Sequence, residues 1–532
     1  MTAGCTGTLR GGILHLTIDT RGSSVNVFSP AVALELEREL QAGIAAGATA
    51  GVVRSAKPGS FVNGVGLLLA AASHAPGAAL ERARTVQRCY ESLASAPVPT
   101  IAAIEGNCYG CGLELALTCD YRVARDSYDT HFYMPELRDY AFIPLFGATQ
   151  RLPRLLGLRE AMRLLTGERV GAAEAARIGL ADELLPEAVF EARLRSFLSR
   201  LRARGWPKRA AAPLRRSSPR PLDALPGPER PLAEECLRLS RLPFAAGYRL
   251  EDGLRQELAS FGQSVATGES TRAMSFFFVR QAAKAHAIGS ASYQRPRRVA
   301  LAFAGRTSAL RSPERILRDR RLPGIEVKPR GSIVFSHSQR RGAFACTVRG
   351  RGRQRECLAY LPFPREEVPV IELVPASAAR PWRPGADLFQ VLEQAGFSPV
   401  VTRARDRFVS ERLVDAFHAE GGPAAHAALL AFGYRLPRAL RRGDGPASDP
   451  DAADRVSLAL VRVCLAALDA GELTHPSQAD TLVHALFGFP PVHGGILRYA
   501  ASGSSAVAAA AAGVLGRKLA APGRAPAGNA SG

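Results

Sequence analysis

Two glutamates in the N-terminal third of the sequence lie beside turns that could orient them for proton transfer. Glu114 follows a glycine-rich turn in AAIEGNCYGCGLELALT, and Glu136 lies in YMPELRDY. The N-terminus of a helix presents unpaired N–H groups and a positive partial charge, which suits a developing oxyanion. Beside it, one glutamate could take a proton from water while the other protonates the α-carbon of a conjugated carbonyl compound, so that water adds to the double bond. Spacing alone favours a plainer role, in which each glutamate is a dipole partner at a helix N-terminus.

The elements that must position these glutamates are predicted from apolar runs and glycines. A buried strand over Thr100 to Ile104 leads into a turn carrying Gly106, Gly110 and Gly112, and a helix over Leu113 to Thr118 follows. Short apolar runs on either side of the helical pattern AVALELERELQAGIAAG open the chain. This alternation predicts an α/β fold for the N-terminal domain.

Several segments, in order, resemble the crotonase (enoyl-CoA hydratase/isomerase) superfamily over nearly all of residues 8–190. They are KPGSFVNG, AAIEGNCYGCGLELALTCDYRVA, MPE and GATQRLPRLLG. The resemblance implies that Glu114 and Glu136 are the two catalytic glutamates. It also implies that the backbone N–H groups of Asn63 and Cys111 form an oxyanion hole for a thioester carbonyl. The glycines that this resemblance places in the substrate loops are Gly110, Gly112 and Gly147.

The sequence departs from the family pattern at three places. Cys111 replaces the central residue of a Gly-Gly-Gly turn, and the family's Gly-Ala-Asp-Ile has become the Gly-Val-Gly-Leu of residues 64–67, which lacks the aspartate. The loop after Glu136 reads IPLFGATQRL, with one extra residue. Its bulky Leu145 and Phe146 could narrow the acyl site or reposition Glu136.

The C-terminal half resembles the 3-hydroxyacyl-CoA dehydrogenase part of the multifunctional fatty-acid β-oxidation α-chain family. The resemblance rests on RPRRVALAFAG, GSIVFSHS, YLPFPREEVPVIELVPAS, AGFSPVVTRARDRFVSERL and HPSQADTLVHALFGFPPVHGGILRYA. A dehydrogenase needs a glycine-rich βα turn to bind the dinucleotide, but the sequence after the first predicted strand reads AGRTSALRS. NAD binding is therefore not expected.

The positions that match the dehydrogenase's catalytic residues have changed as well. The family pairs a histidine with a glutamate twelve residues later, whereas Tyr360 stands twelve residues before Glu372 here. A tyrosine is a poor general base at neutral pH because its pKa is about 10. Two asparagines of the family correspond to His337 and Glu411. We expect a degenerate domain without hydride transfer.

Composition excludes several other classes of protein. The formal net charge is +21, but 64 of the 69 basic residues are arginines spread along the chain, without the interleaved aromatics of a base-stacking surface, so nucleic-acid binding is not expected. Nine scattered cysteines indicate a reducing compartment, and we expect a cytoplasmic protein. There is no run of about 18 apolar residues and no signal peptide, so an integral membrane protein is not expected. Cys108 and Cys111 form a C-x-x-C without a second ligand pair, and no metal site is predicted.

The predicted organisation is α/β, with a crotonase domain of the ββα-superhelix type, a truncated Rossmann remnant and an all-α dehydrogenase-type domain. The boundaries are 1–204 for the crotonase domain, 205–295 for a linker and connecting helix, 296–385 for the remnant, 386–500 for the helical domain and 501–532 for a disordered tail. The expected function is hydration of trans-2-enoyl-CoA with no cofactor beyond the CoA of the substrate. The alternatives are a non-catalytic acyl-CoA-binding scaffold and an enoyl-CoA isomerase. A thiolase-type subunit and further copies of the chain are the expected protein partners.

Overall fold

A computed structural model of the protein describes residues 4–23, 25–64, 76–127, 129–208 and 229–288 in the N-terminal part. Further on it describes residues 299–304, 325–327, 333–337, 343–350, 353–360, 370–375, 386–394, 397–404, 406–420, 425–437, 440 and 451–502. The chain divides into two compact units. The first comprises Met1–Leu225 and Glu229–Met274, and the second comprises Pro226–Pro228 and Ser275–Gly532.

A six-stranded sheet organises the first unit. Its strands are β1 (Cys5–Arg10), β2 (Ile13–Ile18), β3 (Ala50–Ser55), β5 (Thr100–Ile104), β7 (Tyr121–Asp126) and β10 (Glu183–Pro186), in that spatial order. Strands β1 and β2 pair antiparallel, and the other neighbours pair parallel. Every residue of β5 is buried, because a parallel strand inside a sheet is covered on both faces. The predicted strand at 100–104 is confirmed.

A second, four-stranded sheet is formed by strands that alternate along the chain with those of the six-stranded sheet. Its strands are β4 (Ser60–Val62), β6 (Asn107–Tyr109), β8 (His131–Tyr133) and β9 (Val170–Gly171), again in that spatial order. The pairs β3 and β4, β5 and β6, and β7 and β8 each give one strand to the large sheet and the next to the small one, and a helix follows each pair. This repetition is the β–β–α pattern that the sequence analysis expected.

The helices of the first unit follow these strands. They are α1 (Pro30–Ala45), α2 (Pro76–Ala94), α3 (Cys111–Thr118), α4 (Glu136–Tyr140), α5 (Ala148–Leu156), α6 (Leu158–Leu165), α7 (Ala172–Ile178), α8 (Phe190–Ala203), α9 (Arg230–Arg241) and α10 (Leu250–Val265). All eight residues of α3 are buried. The helix that positions Glu114 is thus a core element whose environment is set by its neighbours.

The end of the first unit differs from the predicted boundary at residue 204. Residues 229–274, which the sequence assigned to a linker and connecting helix, belong to the first compact unit. The reason is apolar burial: Cys236 and Leu239 of α9 and Phe261 and Val265 of α10 lie in the same hydrophobic cluster as Phe146. Helix α11 (Gly268–Ile288) contains the division between the units.

The second unit contains a seven-stranded mixed sheet. Its strands are β11 (Val299–Ala304), β12 (Ile325–Val327), β13 (Ile333–His337), β14 (Ala343–Gly350), β15 (Arg353–Tyr360), β16 (Val370–Pro375) and β17 (Ser398–Val401). The spatial order is β12–β11–β13–β14–β15–β16–β17, with antiparallel pairing from β13 to β16 and parallel pairing at both ends. The sequence analysis anticipated β11, the strand before AGRTSALRS, but not the antiparallel part. The truncated Rossmann interpretation stays a prediction.

Helices follow β16 and β17 in the second unit. They are α12 (Ala386–Gln394), α13 (Val409–Glu420), α14 (His426–Phe432), α15 (Ala452–Asp469), α16 (Pro476–Phe487) and α17 (Ile496–Ala501). The predicted all-helical region from residue 386 needs a correction, because β17 pairs with β16 and belongs to the sheet. A strand of four residues is too short for alternation to reveal it. The predicted tail lies almost wholly outside the described residues, as do positions 209–228 of the predicted linker.

Candidate active site

The turn between β6 and α3 sets the geometry of the candidate site. Gly110 has φ 52° and ψ −123°, a backbone conformation that side chains disfavour, and its N–H donates to the Tyr133 carbonyl at 2.8 Å. A Cβ atom at Gly110 would overlap Oε1 of Glu136, and one at Gly112 would overlap the Val62 carbonyl oxygen. The glycines therefore allow both a carboxylate and a neighbouring strand to approach the turn closely.

Glu114 lies in the first turn of α3 and is fully buried. Its Oε1 accepts hydrogen bonds from the N–H groups of Phe146 at 2.8 Å and Ala148 at 3.1 Å. Within the described part of the chain, its Oε2 has no hydrogen-bond partner. Because a buried polar atom without a partner costs free energy, this oxygen is a candidate for contact with a substrate or a water molecule.

Glu136 is the second predicted carboxylate, and the structure brings it to the same turn. It is the first residue of α4 and is only 5% exposed. Its Oε2 also lacks a hydrogen-bond partner among the residues that the structure describes. The Glu136 carboxylate thus lies against Gly110, and it is near enough to Glu114 in the following helix for their charges to interact. Each carboxyl group has one buried oxygen without a partner among the described residues.

The electrostatics of the site favour protonated carboxyl groups. Burial raises the pKa of Glu114 well above its usual range, and the negative charges of Glu257 and Glu136 add to this effect. Burial also raises the pKa of Glu136 to about 8, opposed by its own N–H and assisted by Asp139 and Glu257. A site with raised carboxyl pKa values can hold an acid beside a base at neutral pH.

Glu257 on α10 is a third buried carboxylate at the site, and the sequence analysis missed it. Its Oε1 accepts from the Gly147 N–H at 2.5 Å, and its Oε2 accepts from the Thr149 N–H at 2.9 Å and from the Thr149 hydroxyl. A signal was available, since Leu254, Leu258 and Phe261 place Glu257 on the apolar face of a helix. The sequence analysis placed this segment in a connection between domains, whereas the structure places it in the first unit.

The two predicted oxyanion donors are the backbone N–H groups of Cys111 and Asn63. The Cys111 N–H lies at the start of α3, as expected. The Asn63 N–H donates to the Asn26 carbonyl at 2.8 Å, so in this structure it is already engaged. Asn26 is itself fixed by hydrogen bonds from its side-chain amide to the carbonyls of Ile18 and Phe61. The two-donor hole is therefore not assembled here, and the altered residues 65–67 lie outside the described residues.

The bulky residues in the loop after Glu136 are buried rather than projecting into solvent. Leu145 is 4% and Phe146 is 1% exposed. The Phe146 ring lies 5.2 Å from the Tyr90 ring, and the Tyr90 hydroxyl donates to the Cys111 carbonyl at 2.7 Å. Phe146 is thus packed beside the turn, and its backbone contact is with Glu114.

The positions that match the dehydrogenase lie in the second unit and have a structural explanation. Tyr360 and Glu372 are register partners on β15 and β16. The Glu372 carboxylate accepts from Val409 and Ser410 N–H at 2.9 and 2.8 Å and from the hydroxyls of Thr402 and Ser410 at 2.6 and 2.5 Å. Both of its oxygens are therefore occupied at the N-terminus of α13, where an anion is stabilised.

The other dehydrogenase positions show no catalytic arrangement in the described structure. The Tyr360 ring stacks on Phe408 at 4.4 Å, and burial, with the charges of Glu411 and Glu372, raises its pKa to about 12. Glu411 forms an ion pair with Arg407 at 3.5 Å. His337 ends β13, and its side chain, like the segment after Ala304, lies outside the described residues.

Two further observations concern the cysteines of the C-x-x-C motif and the hydrophobicity of the helices. Cys108 and Cys111 are buried, unbridged thiols whose pKa values are raised by burial, and among the described residues no group of three or more His, Cys, Asp or Glu side chains could hold a metal ion. In the same part of the chain, no helix is long and apolar enough to cross a membrane.

Comparison with known proteins connects this site to a family. Residues 8–221 match the enoyl-CoA hydratase/isomerase family. The chain is 38% identical over 180 residues to a fatty acid oxidation complex subunit alpha from Vibrio campbellii, covering 33% of this chain and 25% of the relative. It is 32% identical over 307 residues to the subunit of that name from Shewanella amazonensis, covering 55% of this chain and 43% of the relative. The matches thus span a quarter of the first relative and less than half of the second.

A solved structure shows a weaker likeness. An enoyl-CoA hydratase from Mycobacterium avium subsp. paratuberculosis is 21% identical, with a TM-score of 0.39, and the match covers 53% of this chain and 97% of that one.

Proposed function

Because residues 8–221 match the enoyl-CoA hydratase/isomerase family, we propose that this protein hydrates trans-2-enoyl-CoA thioesters. The observation that carries the proposal is that Glu136, beside Gly110, and Glu114, in the helix turn that follows, are near enough for their charges to interact. Each also has a buried oxygen that lacks a partner among the described residues. Desolvated carboxyl groups with raised pKa values suit general acid–base chemistry near neutral pH.

The proposed reaction uses these two carboxyl groups on one water molecule. The ionised carboxylate accepts a proton from water as the water oxygen bonds to the β-carbon, and the protonated carboxyl group gives its proton to the α-carbon. The Cys111 N–H stabilises the negative charge that develops on the thioester oxygen. No cofactor beyond the CoA of the substrate takes part. A second donor requires the Asn63 N–H to leave the Asn26 carbonyl, which it meets at 2.8 Å.

The full-length protein is expected to hydrate crotonyl-CoA or a longer enoyl-CoA with a turnover number of at least about 1 s⁻¹. Loss of the conjugated-thioester absorbance, followed across a series of acyl lengths, measures the rate, and chromatography identifies the 3-hydroxyacyl-CoA product. Binding of each thioester is measured in parallel by calorimetry. Tight binding without turnover at every chain length would contradict the hydratase proposal.

A non-catalytic acyl-CoA-binding scaffold is the second candidate function. It is favoured by the engagement of the Asn63 N–H with Asn26 and by the packing of Phe146 against Tyr90 beside the turn. Isomerisation of the double bond, which can use one carboxylate, is a further candidate. Mass spectrometry of the products in the same assay separates it from hydration, because an isomerised thioester keeps the mass of its substrate whereas a hydrated one gains the mass of water.

We propose further that the second unit has lost 3-hydroxyacyl-CoA dehydrogenase activity. Support comes from the saturated hydrogen bonding of Glu372 and from Tyr360 standing where the family has a histidine. With 3-hydroxybutyryl-CoA and NAD, the protein is expected to produce no NADH above the rate without protein. Absorbance of NADH is the measurement, and sustained production that depends on both substrates would overturn the proposal.

The protein partners and the cellular compartment of this chain are also proposed, from the names of its relatives. The two relatives described above are named as subunits of a fatty acid oxidation complex. We therefore propose that this chain acts in fatty-acid β-oxidation in the cytoplasm, together with a thiolase-type subunit or as a homo-oligomer.

A further inference from the structure

The turn that begins α5 is held between two buried carboxylates from distant parts of the chain. Glu114 accepts the N–H groups of Phe146 and Ala148, whereas Glu257 accepts those of Gly147 and Thr149. Successive N–H groups of the turn thus go alternately to one carboxylate and to the other. The two carboxylates face each other across a single stretch of backbone at the positive end of a helix.

The two carboxylates are not equally well supplied with donors. Burial raises the pKa of Glu257 to about 7, and this effect is opposed by three donors, the N–H groups of Gly147 and Thr149 and the Thr149 hydroxyl, and by the positive charge of Arg151. Glu114 has two donors on one oxygen and a buried second oxygen that no described residue contacts. A negative charge shared across this turn therefore resides preferentially on Glu257.

Other titratable groups surround the pair. Those that interact with Glu114 are Glu136, Glu257, Tyr90, Cys111 and Arg151, and those that interact with Glu257 include Arg151, Tyr248, Cys236 and Glu136. Arg151 is the cation among them. Burial lowers the pKa of Arg151, and the charges of Glu257 and Glu114 oppose this effect.

We propose that Glu257 is a positioning residue that carries the negative charge at the start of α5 and thereby keeps Glu114 protonated. Its carboxylate holds the turn through Gly147 and Thr149, and its charge repels a second negative charge on the far side of the same backbone. The consequence for catalysis rests on the proposed hydration. There the protonation state of Glu114 decides which of the two carboxyl groups accepts the proton of water and which gives a proton to the α-carbon.

The test measures the protonation of Glu114 directly, without any need for activity. The infrared band of a protonated carboxyl group is followed from pH 5 to 10 in the full-length protein, and loss of the band in Glu114→Gln assigns it. In Glu257→Gln the midpoint for loss of the Glu114 band is expected to fall by at least about one pH unit. The matched control is Glu251→Gln, which removes an exposed carboxylate from the same helix and should leave the midpoint unchanged.

Each result decides the proposal. An unchanged midpoint in a folded Glu257→Gln protein, or an equal shift in Glu251→Gln, would overturn it. Should Glu257→Gln fail to fold, Thr149→Val removes the hydroxyl that donates to Glu257 and accepts from the Gln150 amide, while it keeps the Thr149 N–H donor. It is expected to shift the Glu114 midpoint in the same direction by a smaller amount; no shift would overturn the proposal.

The experiments can contradict the proposed hydration and the proposed role of Glu257 independently of each other. If wild type does not hydrate enoyl-CoA, the infrared titration still tests the coupling of the two carboxylates. If wild type is active, the limb of its kcat/KM profile whose midpoint matches the Glu114 infrared midpoint should move with that midpoint in Glu257→Gln, which a merely structural role for Glu257 would not produce.

Discussion

Replacement of either Glu114 or Glu136 by glutamine is expected to lower kcat for enoyl-CoA hydration by about 10² to 10⁴-fold. Glutamine keeps the shape of each side chain but can neither accept a proton from water nor deliver one to the α-carbon. The substitution also preserves packing, because both carboxyl groups are buried and burial already favours their neutral forms. Steady-state kinetics on crotonyl-CoA, with circular dichroism as a check on folding, measures the effect.

The double variant and a surface variant complete this experiment. Glu114→Gln combined with Glu136→Gln should be scarcely slower than the worse single variant, because groups that act as one unit are not additive. Glu81→Gln removes an exposed carboxylate that pairs with Arg84, and it should retain the wild-type rate. Wild-type turnover that is no faster than that of either single variant would show that these carboxyl groups do not carry the reaction.

Substitution of Gly110 by alanine is expected to have the second largest effect. Its positive φ of 52° imposes strain of about 1–3 kcal/mol on a residue with a side chain. The new Cβ would also overlap Oε1 of Glu136, so the carboxylate must move. A displacement of about 1 Å in a catalytic group can cost about 10²-fold in rate. We therefore expect a folded but destabilised protein with kcat lowered to a similar extent.

The measurements for Gly110→Ala are urea unfolding for stability and the hydration assay for rate. Gly171→Ala is the matched control, because Gly171 precedes α7 with an ordinary φ of −78° and a Cβ there would meet nothing within 4 Å. Its effect on stability should stay within about 0.5 kcal/mol. Wild-type kinetics in Gly110→Ala would mean that the observed position of Glu136 is not needed for the reaction.

Much of the first unit was predictable from local sequence. The apolar run at 100–104 became β5, the glycines became a turn with a positive φ at Gly110, and Glu114 fell in the first turn of α3. These features depend on hydrophobic periodicity and on the backbone freedom of glycine, which act over a few residues. The order of the segments in the first unit similarly anticipated the repeated β–β–α arrangement.

The second unit was less predictable because some of its strands are short and pair with strands that are distant in the sequence. Strand β17 has four residues and joins the sheet only through β16. Glu372 looked like half of a catalytic pair in the sequence, yet its four donors come from Thr402, Val409 and Ser410. Its role at the start of α13 depends on how β16 meets that helix.

The sequence by itself determined the glycine turn and Glu114 in the helix that follows it, because their spacing and backbone requirements are local. Glu136 was paired with them only through the resemblance to the crotonase superfamily. Only the tertiary structure decided which atoms surround them. It brought Glu257 to Gly147 across 110 residues of chain and engaged the Asn63 N–H with the Asn26 carbonyl. Hydrogen bonds of this kind form wherever packing brings a donor and an acceptor together, and that packing is fixed by the burial of whole helices and strands rather than by the residues adjacent in the chain.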